Sequence, residues 1–470
     1  MMKEFSKHIW PWLLVVALLL VNSFIPAISA DEAYYISWAK DLAWGYFDHP
    51  PLVAWFSSIA PNTFFRIPFL VISLLLVLLS DKHNLLWCLC IPGAHLFFGW
   101  ALPDTVMVVA GFFLIYSFKR WDSDTNWLNT LILGLSIGLL GLSKYHGVLL
   151  IIALAIGFWP KRKEVKLYAA ITLGAVVLMP HFVWQYQNDW PSFRYHLSDR
   201  FIPGGGILET VQFLSISIIL WIPLIWNYKY LPKWSRSLVF LAAIIFGWSA
   251  FKGSAELHWM LVLVWIIPEL PRVVHSKWRV FGISLAVIHL LIFIPVISER
   301  IGIAEHFRKE IRSINELDYV IFLDSYQDAA LYEFYTGKES YSLVHPGIRR
   351  SQYQLATYPF QSIRVLIYNR MGMGTKVNHT PFHKIEQEVY DLSGIEWTLH
   401  DGALQTDLSL VPLGYHWIQY NYENGIEVER IGLGEAIQLP SRFAIGVKQQ
   451  SFLTLEKNWV PSQLWIPLHE

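Results

Sequence analysis

Acidic and basic side chains are concentrated directly after the first apolar segment of the chain. Asp31 and Glu32 are adjacent there, and Asp48 and His49 follow shortly afterwards, just before two consecutive prolines. A carboxylate at the partly dehydrated end of a membrane helix can serve as a general base for a substrate hydroxyl. The same acids also suit structural roles, because acids cap helix N-termini and Asp begins turns. The spacing therefore leaves a catalytic and a structural interpretation open.

Further ionisable residues interrupt the later apolar segments near their ends. Ionisable residues within membrane segments are costly and by default mark functional sites, although a lysine near an interface can extend to water. All of these residues fall on the same predicted side as Asp31, which favours a shared polar site. They are Asp104, Lys144, Tyr145, Lys252 and His258. Arg200 lies in the loop 185–208 on that side, where an outward-facing arginine could bind an anionic group.

The composition is that of a polytopic membrane protein. Of 470 residues, 54% are hydrophobic and 15% are charged, against roughly 25% charged residues in a typical soluble domain. The formal net charge of zero excludes a generally basic nucleic-acid-binding protein. The two cysteines, Cys88 and Cys90, are too close in sequence for a favourable disulfide bond between them. We therefore expect a helical membrane bundle without disulfides.

Apolar runs separated by polar or basic residues predict about eleven membrane spans. Basic clusters precede the first span and follow several later ones on the same side, and such clusters favour the cytoplasm. The N-terminus is therefore predicted to be cytoplasmic, and the first span is predicted to be retained rather than cleaved as a signal peptide. The predicted spans are 9–28, 64–80, 84–101, 104–118, 129–143, 146–159, 167–184, 209–227, 237–251, 258–270 and 280–298.

The charge balance changes sign along the chain, which predicts two domains. Residues 1–298 contain 21 basic and 15 acidic side chains, whereas residues 299–470 contain 15 basic and 21 acidic side chains. The first domain is predicted to be the transmembrane bundle, with a surface helix in its loop 29–60. That helix is predicted over 32–43, where Tyr35, Trp38 and Leu42 form an apolar stripe at helical spacing. The second is predicted to be an extracytoplasmic α/β or α+β domain. Its apolar patterns indicate a helix over 328–335 and strands near 318–323, 362–368, 391–398, 415–420 and 441–447.

Two segments of the first domain strongly resemble bacterial integral-membrane glycosyltransferases of the protein-mannosyltransferase type. They are 31–35, with the sequence DEAYY, and 46–51, with the sequence YFDHPP. The group includes lipid A aminoarabinose transferases and dolichyl-phosphate-mannose-dependent transferases. The segments 102–104, 142–145 and 349–353 are also similar to it. The resemblance covers residues 1 to about 300 and is weaker beyond them.

This resemblance implies a mainly α, GT-C-like helical bundle with its active site at the outer face. It implies Asp31 as the general base, with Glu32 beside it, and Asp104 as a second acidic position. Asp48 and His49 match positions near the donor phosphate or a bound cation, so Asp48 is the candidate ligand of a divalent metal. His49 replaces the lysine typical of aminoarabinose transferases, and an ordinary histidine is mostly neutral at neutral pH. His49, Lys144, Arg200 and Lys252 are candidates for stabilising the departing phosphate.

The resemblance implies an inverting glycosyltransferase of the bacterial inner membrane. Its donor would be a polyprenyl-phosphate-linked sugar, and its acceptor lipid A, lipopolysaccharide or another envelope glycan. The alternatives are a protein O-glycosyltransferase, a secondary transporter that uses Asp104, Lys144 and Glu256, and a sensor or assembly protein. Transporters usually contain inverted repeats and midplane sites. The sequence shows no such repeat, and its acids lie at the outer ends of the predicted spans.

Overall fold

The chain divides into two compact units, Met1–Glu305 and His306–Glu470. The computed structural model describes residues 2–60, 64–95, 99–199, 205–253, 255–292, 320–344, 349–355, 362–370, 375–377, 382–390, 398–400, 403–405, 415–421, 426–432, 443–448 and 459–466.

The described part of the first unit is built from helices. The α-helices are α1 (Met2–Phe24), α2 (Ala30–Ser37), α3 (Leu52–Ser57), α4 (Ile67–Leu79), α5 (Lys82–Cys90), α6 (Pro92–His95), α7 (Pro103–Ser123), α8 (Trp127–Ser143), α9 (Val148–Gly157), α10 (Val165–Gln187), α11 (Pro191–Arg194), α12 (Ile207–Leu220), α13 (Ile222–Trp226), α14 (Lys233–Phe251) and α15 (Ser276–Ile292). Short 3₁₀ turns lie at Trp38–Lys40, Tyr145–Gly147, Trp159–Lys163 and Tyr228–Tyr230, and a longer 3₁₀ helix spans Leu257–Glu269.

The outward faces of these helices are apolar, which places the unit in a membrane. Two described helices, α10 and α14, are long and apolar enough to cross a bilayer, and six more apolar helices are shorter. Helix α10 exposes Ile171, Val176, Met179 and Phe182 along its length. A soluble monomer rarely exposes a continuous apolar face of this kind, and lipid is the solvent that it suits.

The helix Leu257–Glu269 is a 3₁₀ helix of 13 residues, although such helices rarely exceed a single short turn. The rise of about 2.0 Å per residue gives it a length of roughly 26 Å, close to the thickness of a bilayer core. Every residue from Trp259 to Ile267 is buried. The Trp265 indole donates to the Val108 carbonyl of α7 at 2.9 Å, so this thin helix is held inside the bundle by its neighbours.

Helices α8 and α10 pack closely because glycines line their contact. A Cβ added at Gly138 would lie 2.5 Å from the Val177 side chain and 3.3 Å from the Gly174 carbonyl. A Cβ added at Gly134 would lie 2.8 Å from the Ala170 carbonyl. Small residues spaced four apart let membrane helices approach in this way. The two helices carry Lys144 and His181 at the same end of the bundle, so their packing also sets the spacing of those side chains.

Replacing Gly138 by leucine is expected to destabilise the first unit by about 1–3 kcal/mol, because the added side chain must separate α8 from α10. Thermal unfolding of the purified protein in detergent measures the effect. Leu139→Ala is the matched control, since Leu139 is exposed on the outward face of the same helix. Equal unfolding temperatures for Gly138→Leu and wild type would contradict the close packing.

The loop after α1 folds back into the bundle. The sequence predicts a helix over 32–43 along the membrane surface, but α2 ends at Ser37, and Tyr35 and Trp38 are buried. The Trp38 and Tyr46 rings stack with centroids 4.5 Å apart. Aromatic packing thus replaces the expected exposed amphipathic helix, and only Leu42 of the predicted apolar stripe is exposed.

The described part of the second unit contains a mixed sheet and an antiparallel sheet. The first has the order β2-β1-β3-β5-β4, formed by β1 (Val320–Leu323), β2 (Ser340–Leu343), β3 (Ser362–Asn369), β4 (Thr375–Lys376) and β5 (His383–Tyr390). Strand β1 is parallel to β2 and β3, whereas β5 is antiparallel to its neighbours β3 and β4. Helix α16 (Tyr326–Thr336) connects β1 to β2. A hairpin pairs β6 (Thr398–His400) with β7 (Ala403–Gln405). The second sheet has the order β11-β10-β8-β9, formed by β8 (Tyr415–Asn421), β9 (Ile426–Gly432), β10 (Phe443–Lys448) and β11 (Trp459–Ile466).

The sequence predicts four of these strands and the connecting helix within a few residues. The predicted strand 391–398 lies almost entirely outside the described residues. The strands β2, β4, β5, β7, β9 and β11 were not predicted, and their short, polar or irregular sequences explain this. For example, β5 has the sequence HKIEQEVY, in which charged residues interrupt the apolar alternation.

Candidate active site

Glu32 is a buried residue whose contacts fix the position of the loop that follows α1. It is fully buried, and its two carboxylate oxygens accept hydrogen bonds from Nε and Nη2 of Arg66 at 2.7 and 2.6 Å. Arg66 also donates to the carbonyls of Pro26 and Ala27. The Ala101 N–H donates to Glu32 Oε1 at 2.9 Å. Glu32 therefore joins three separate segments, and Arg66, which sequence analysis missed, is its ionic partner.

Asp31 lies beside Glu32 in the first turn of α2. The Ser29 hydroxyl caps the helix by accepting from the Glu32 N–H at 3.2 Å, while Glu32 accepts from the Ser29 N–H. Unlike Glu32, Asp31 is only partly buried. It lies within electrostatic range of His258. The capping geometry thus fixes the backbone under Asp31 and leaves its carboxylate at an accessible position.

A second charged group is formed by residues from three helix ends. Lys144, between α8 and the next 3₁₀ turn, donates to Asp104 Oδ2 at 2.7 Å, and both side chains are almost fully buried. His258 Nε2 lies 3.8 Å from the same oxygen, and its Nδ1 lies 3.4 Å from Glu256. Asp104 Oδ1 is buried and accepts no hydrogen bond from the described residues. The structure therefore brings Asp104, Lys144 and His258 together.

Asp48 and His49 lie in an adjoining aromatic and histidine cluster. Both are buried. The His49 ring lies 5.6 Å from the Tyr35 ring and 6.0 Å from the ring of His196, whose Nε2 bonds to the Asp48 carbonyl at 2.9 Å. Tyr145 is packed edge-on against His196 at 5.4 Å. Since Tyr145 follows Lys144 in sequence, this cluster is continuous with the charged group.

The Tyr145 hydroxyl belongs to a hydrogen-bond network that sequence analysis missed. The Tyr145 hydroxyl lies 3.0 Å from His181 Nε2 and accepts from Gln185 at 3.3 Å, and both partners are on α10. Gln185 donates to the Ser192 hydroxyl at 2.7 Å, and Ser192 donates to the Tyr46 carbonyl at 2.8 Å. The polar residues on the otherwise apolar α10 were the available sequence signal.

The Tyr46 hydroxyl stabilises the loop that contains Asp48 through hydrogen bonds to the backbone. Its hydroxyl accepts from the Ala43 N–H at 3.0 Å and lies 3.2 and 3.0 Å from the Trp38 and Asp41 carbonyls. Burial raises the pKa of the Tyr46 phenol to about 12. The phenol therefore stays neutral at physiological pH, and its single O–H is shared between these two carbonyls.

The two remaining predicted site residues are Lys252 and Arg200. Lys252 directly follows α14, and its Nζ lies 5.2 Å from the Trp248 ring centroid. Arg200 lies outside the described residues. Within the described part of the chain, no group of three or more His, Cys, Asp or Glu side chains could hold a metal ion. A divalent metal at Asp48 stays a prediction.

Replacing Lys144 by methionine is expected to lower the turnover rate by about 10²-fold, the usual effect of removing one preorganised group from a site where charge develops. The buried Asp104 carboxylate also loses its cation. The turnover rate is measured with the purified full-length protein in nanodiscs, with correct folding checked by size-exclusion chromatography. Lys40→Met is the control, because Lys40 is an exposed lysine of the neighbouring loop. An unchanged rate for Lys144→Met would remove Lys144 from the site.

The fold is similar to that of two crystal structures of ArnT from Cupriavidus metallidurans, one in the apo state and one bound to undecaprenyl phosphate. The TM-scores are 0.52 and 0.51 at 10% and 11% sequence identity. The likeness covers 76% of this chain and 92% and 93% of the two ArnT chains. The sequence itself matches no protein-family model and no curated protein. The predicted GT-C-like fold is confirmed by this likeness.

Proposed function

We propose that the protein is an inverting glycosyltransferase of the bacterial inner membrane. It takes a sugar from a polyprenyl-phosphate donor and transfers it to lipid A, lipopolysaccharide or another envelope glycan at the outer face. The observation that carries the proposal is the buried Asp104–Lys144 ion pair with His258 beside it, within a fold similar to that of ArnT, a lipid A aminoarabinose transferase. One of those ArnT structures is bound to undecaprenyl phosphate, the lipid class of the proposed donor.

The proposed reaction is a single displacement. The Asp31 carboxylate removes the proton from an acceptor hydroxyl, and the acceptor oxygen attacks the anomeric carbon of the sugar. The bond from that carbon to the phosphate oxygen breaks, and the polyprenyl phosphate leaves with the electron pair. Attack from the face opposite the phosphate inverts the anomeric centre. Protonated Asp31 then returns its proton to water.

The leaving phosphate gains negative charge during this step and needs nearby cations. Lys144 is already positioned by its ion pair with Asp104, so little reorganisation is needed when the donor binds. His49 and Lys252 are further candidates, and Arg200 is a candidate from the sequence alone. Asp104 is proposed to hold Lys144 and to accept a hydrogen bond from the sugar or acceptor at its second oxygen.

The orientation in the membrane is proposed from the basic clusters. The N-terminus lies in the cytoplasm, and the site and the second unit lie outside it, because basic loops are retained on the cytoplasmic side. The acidic balance of residues 299–470 agrees with this arrangement.

The test is a transfer assay with the purified full-length protein in nanodiscs. A panel of polyprenyl-phosphate sugars serves as donors, and envelope lipids, glycans and peptides serve as acceptors, with products identified by mass spectrometry. A glycosylated lipid or glycan is the expected product, while a glycosylated peptide would favour protein O-glycosylation. An added chelator tests the predicted metal. No product from any donor, together with solute flux in liposomes, would overturn the proposal.

A further inference from the structure

A cavity of about 230 Å³ lies between α7, α8, α9 and α10, far from the candidate active site. Its wall is almost entirely apolar and includes Leu114, Phe118, Leu133, Ile137, Leu154 and Ile171. Tyr168 and Ile171 line the edge of the cavity, and both side chains are exposed on the outward face of α10. The cavity therefore opens toward lipid. Apolar cavities of this size stay free of water and accept apolar molecules.

The cavity lies at the opposite end of these helices from the charged group. Asp104 is in the first turn of α7, whereas Phe118 of the cavity lies 14 residues further along it, which corresponds to roughly 21 Å. The proposed polyprenyl-phosphate site and this cavity are therefore separate sites, and in the proposed orientation the mouth of the cavity lies on the cytoplasmic side.

The mouth of the cavity is basic. Lys161 and Arg162 are part of its lining, and the segments 119–124 and 159–166 together contain six basic and three acidic side chains. Lys161 pairs with Asp122 at 2.7 Å. Arg162 lies 4.9 Å from the Trp159 ring centroid, and both Arg162 and Lys163 are exposed. Two of the cations at the mouth thus remain accessible from the membrane surface.

We infer that this cavity binds an anionic phospholipid from the cytoplasmic leaflet. One acyl chain lies in the apolar cavity, and the headgroup phosphate lies against Arg162 and Lys163. The charge of the mouth is complementary to a phosphate, and the opening faces the bilayer, where acyl chains are the available apolar occupants. Basic pockets between membrane helices on the cytoplasmic side recognise anionic headgroups in the same manner.

The test measures unfolding temperature and bound lipid for the delipidated full-length protein in detergent. Phosphatidylglycerol is expected to raise the unfolding temperature by at least about 2 °C, and native mass spectrometry is expected to detect one retained lipid. Phosphatidylcholine with the same acyl chains and inorganic phosphate alone are expected to give less than half of that rise. An equal rise with either compound would overturn the inference, since both the anionic headgroup and the chain are required.

Two variants separate the headgroup from the chain. Arg162→Gln combined with Lys163→Gln removes the accessible charges, and Ala155→Phe fills the cavity, which Ala155 lines, without changing charge. Each is expected to abolish the phosphatidylglycerol-dependent rise, whereas Arg236→Gln, an exposed arginine of α14, is expected to retain it. Ile151→Phe replaces Ala155→Phe if the latter does not fold. A full rise in both the charge variant and the filled variant would contradict the site.

Discussion

Replacing Asp31 by asparagine is expected to reduce sugar transfer by about 10²–10⁴-fold, the usual contribution of a general base. Asparagine keeps the size and the helix N-terminal position of the aspartate but cannot accept the acceptor proton. Because Glu32, rather than Asp31, makes the buried ion pair, the variant is expected to fold normally. The turnover rate in nanodiscs, measured at saturating donor, gives the effect directly.

The matched control for this prediction is Asp41→Asn. Asp41 is an exposed aspartate of the same loop, and the hydrogen bond that it accepts from Tyr46 uses its backbone carbonyl, which the substitution keeps. Full activity is therefore expected in this control. Full activity in Asp31→Asn would transfer the role of base to Asp104, because both oxygens of Glu32 are already occupied by Arg66.

Much of the helical fold could be predicted from hydropathy, since the bilayer imposes apolar segments of similar length. The prediction fails where backbone geometry depends on tertiary contacts. The predicted span 258–270 has nearly the right bounds, but its 3₁₀ conformation depends on contacts such as that of Trp265 with α7. The predicted span 84–101 is interrupted at Ile91, where Pro92 begins a new short helix, since proline ends the preceding helix.

The candidate site was partly predictable because its residues share one side of the membrane. Asp104 and Lys144 could be assigned to the same region from span orientation alone, yet their 2.7 Å ion pair required the structure. Arg66 gave no such signal, since it lies 34 residues from Glu32 and begins an apolar helix, where basic residues are common. Chain topology predicts which side a residue occupies, and only side-chain packing determines its partner.

Replacing Arg66 by methionine is expected to lower the free energy of unfolding by about 3–5 kcal/mol, because it leaves the fully buried Glu32 carboxylate without a counter-charge. The effect reaches the site, since Glu32 also binds the Ala101 N–H three residues before Asp104. Loss of the ion pair between Glu32 and Arg66 is therefore expected to change the positions of Asp31 and Asp104 relative to each other. Denaturant unfolding in mixed micelles measures stability, and the transfer assay measures the rate on the folded fraction.

The double variant Glu32→Gln with Arg66→Met separates charge from packing. Removing both charges is expected to restore most of the lost stability, because a neutral amide no longer needs the guanidinium and can still accept from Ala101. Lys119→Met removes the exposed ion pair with Glu269, and is expected to change stability by no more than about 1 kcal/mol. If the double variant is as unstable as Arg66→Met alone, the arginine acts through its contacts with Pro26, Ala27 and Trp100. The role assigned here to the buried ion pair would then be wrong.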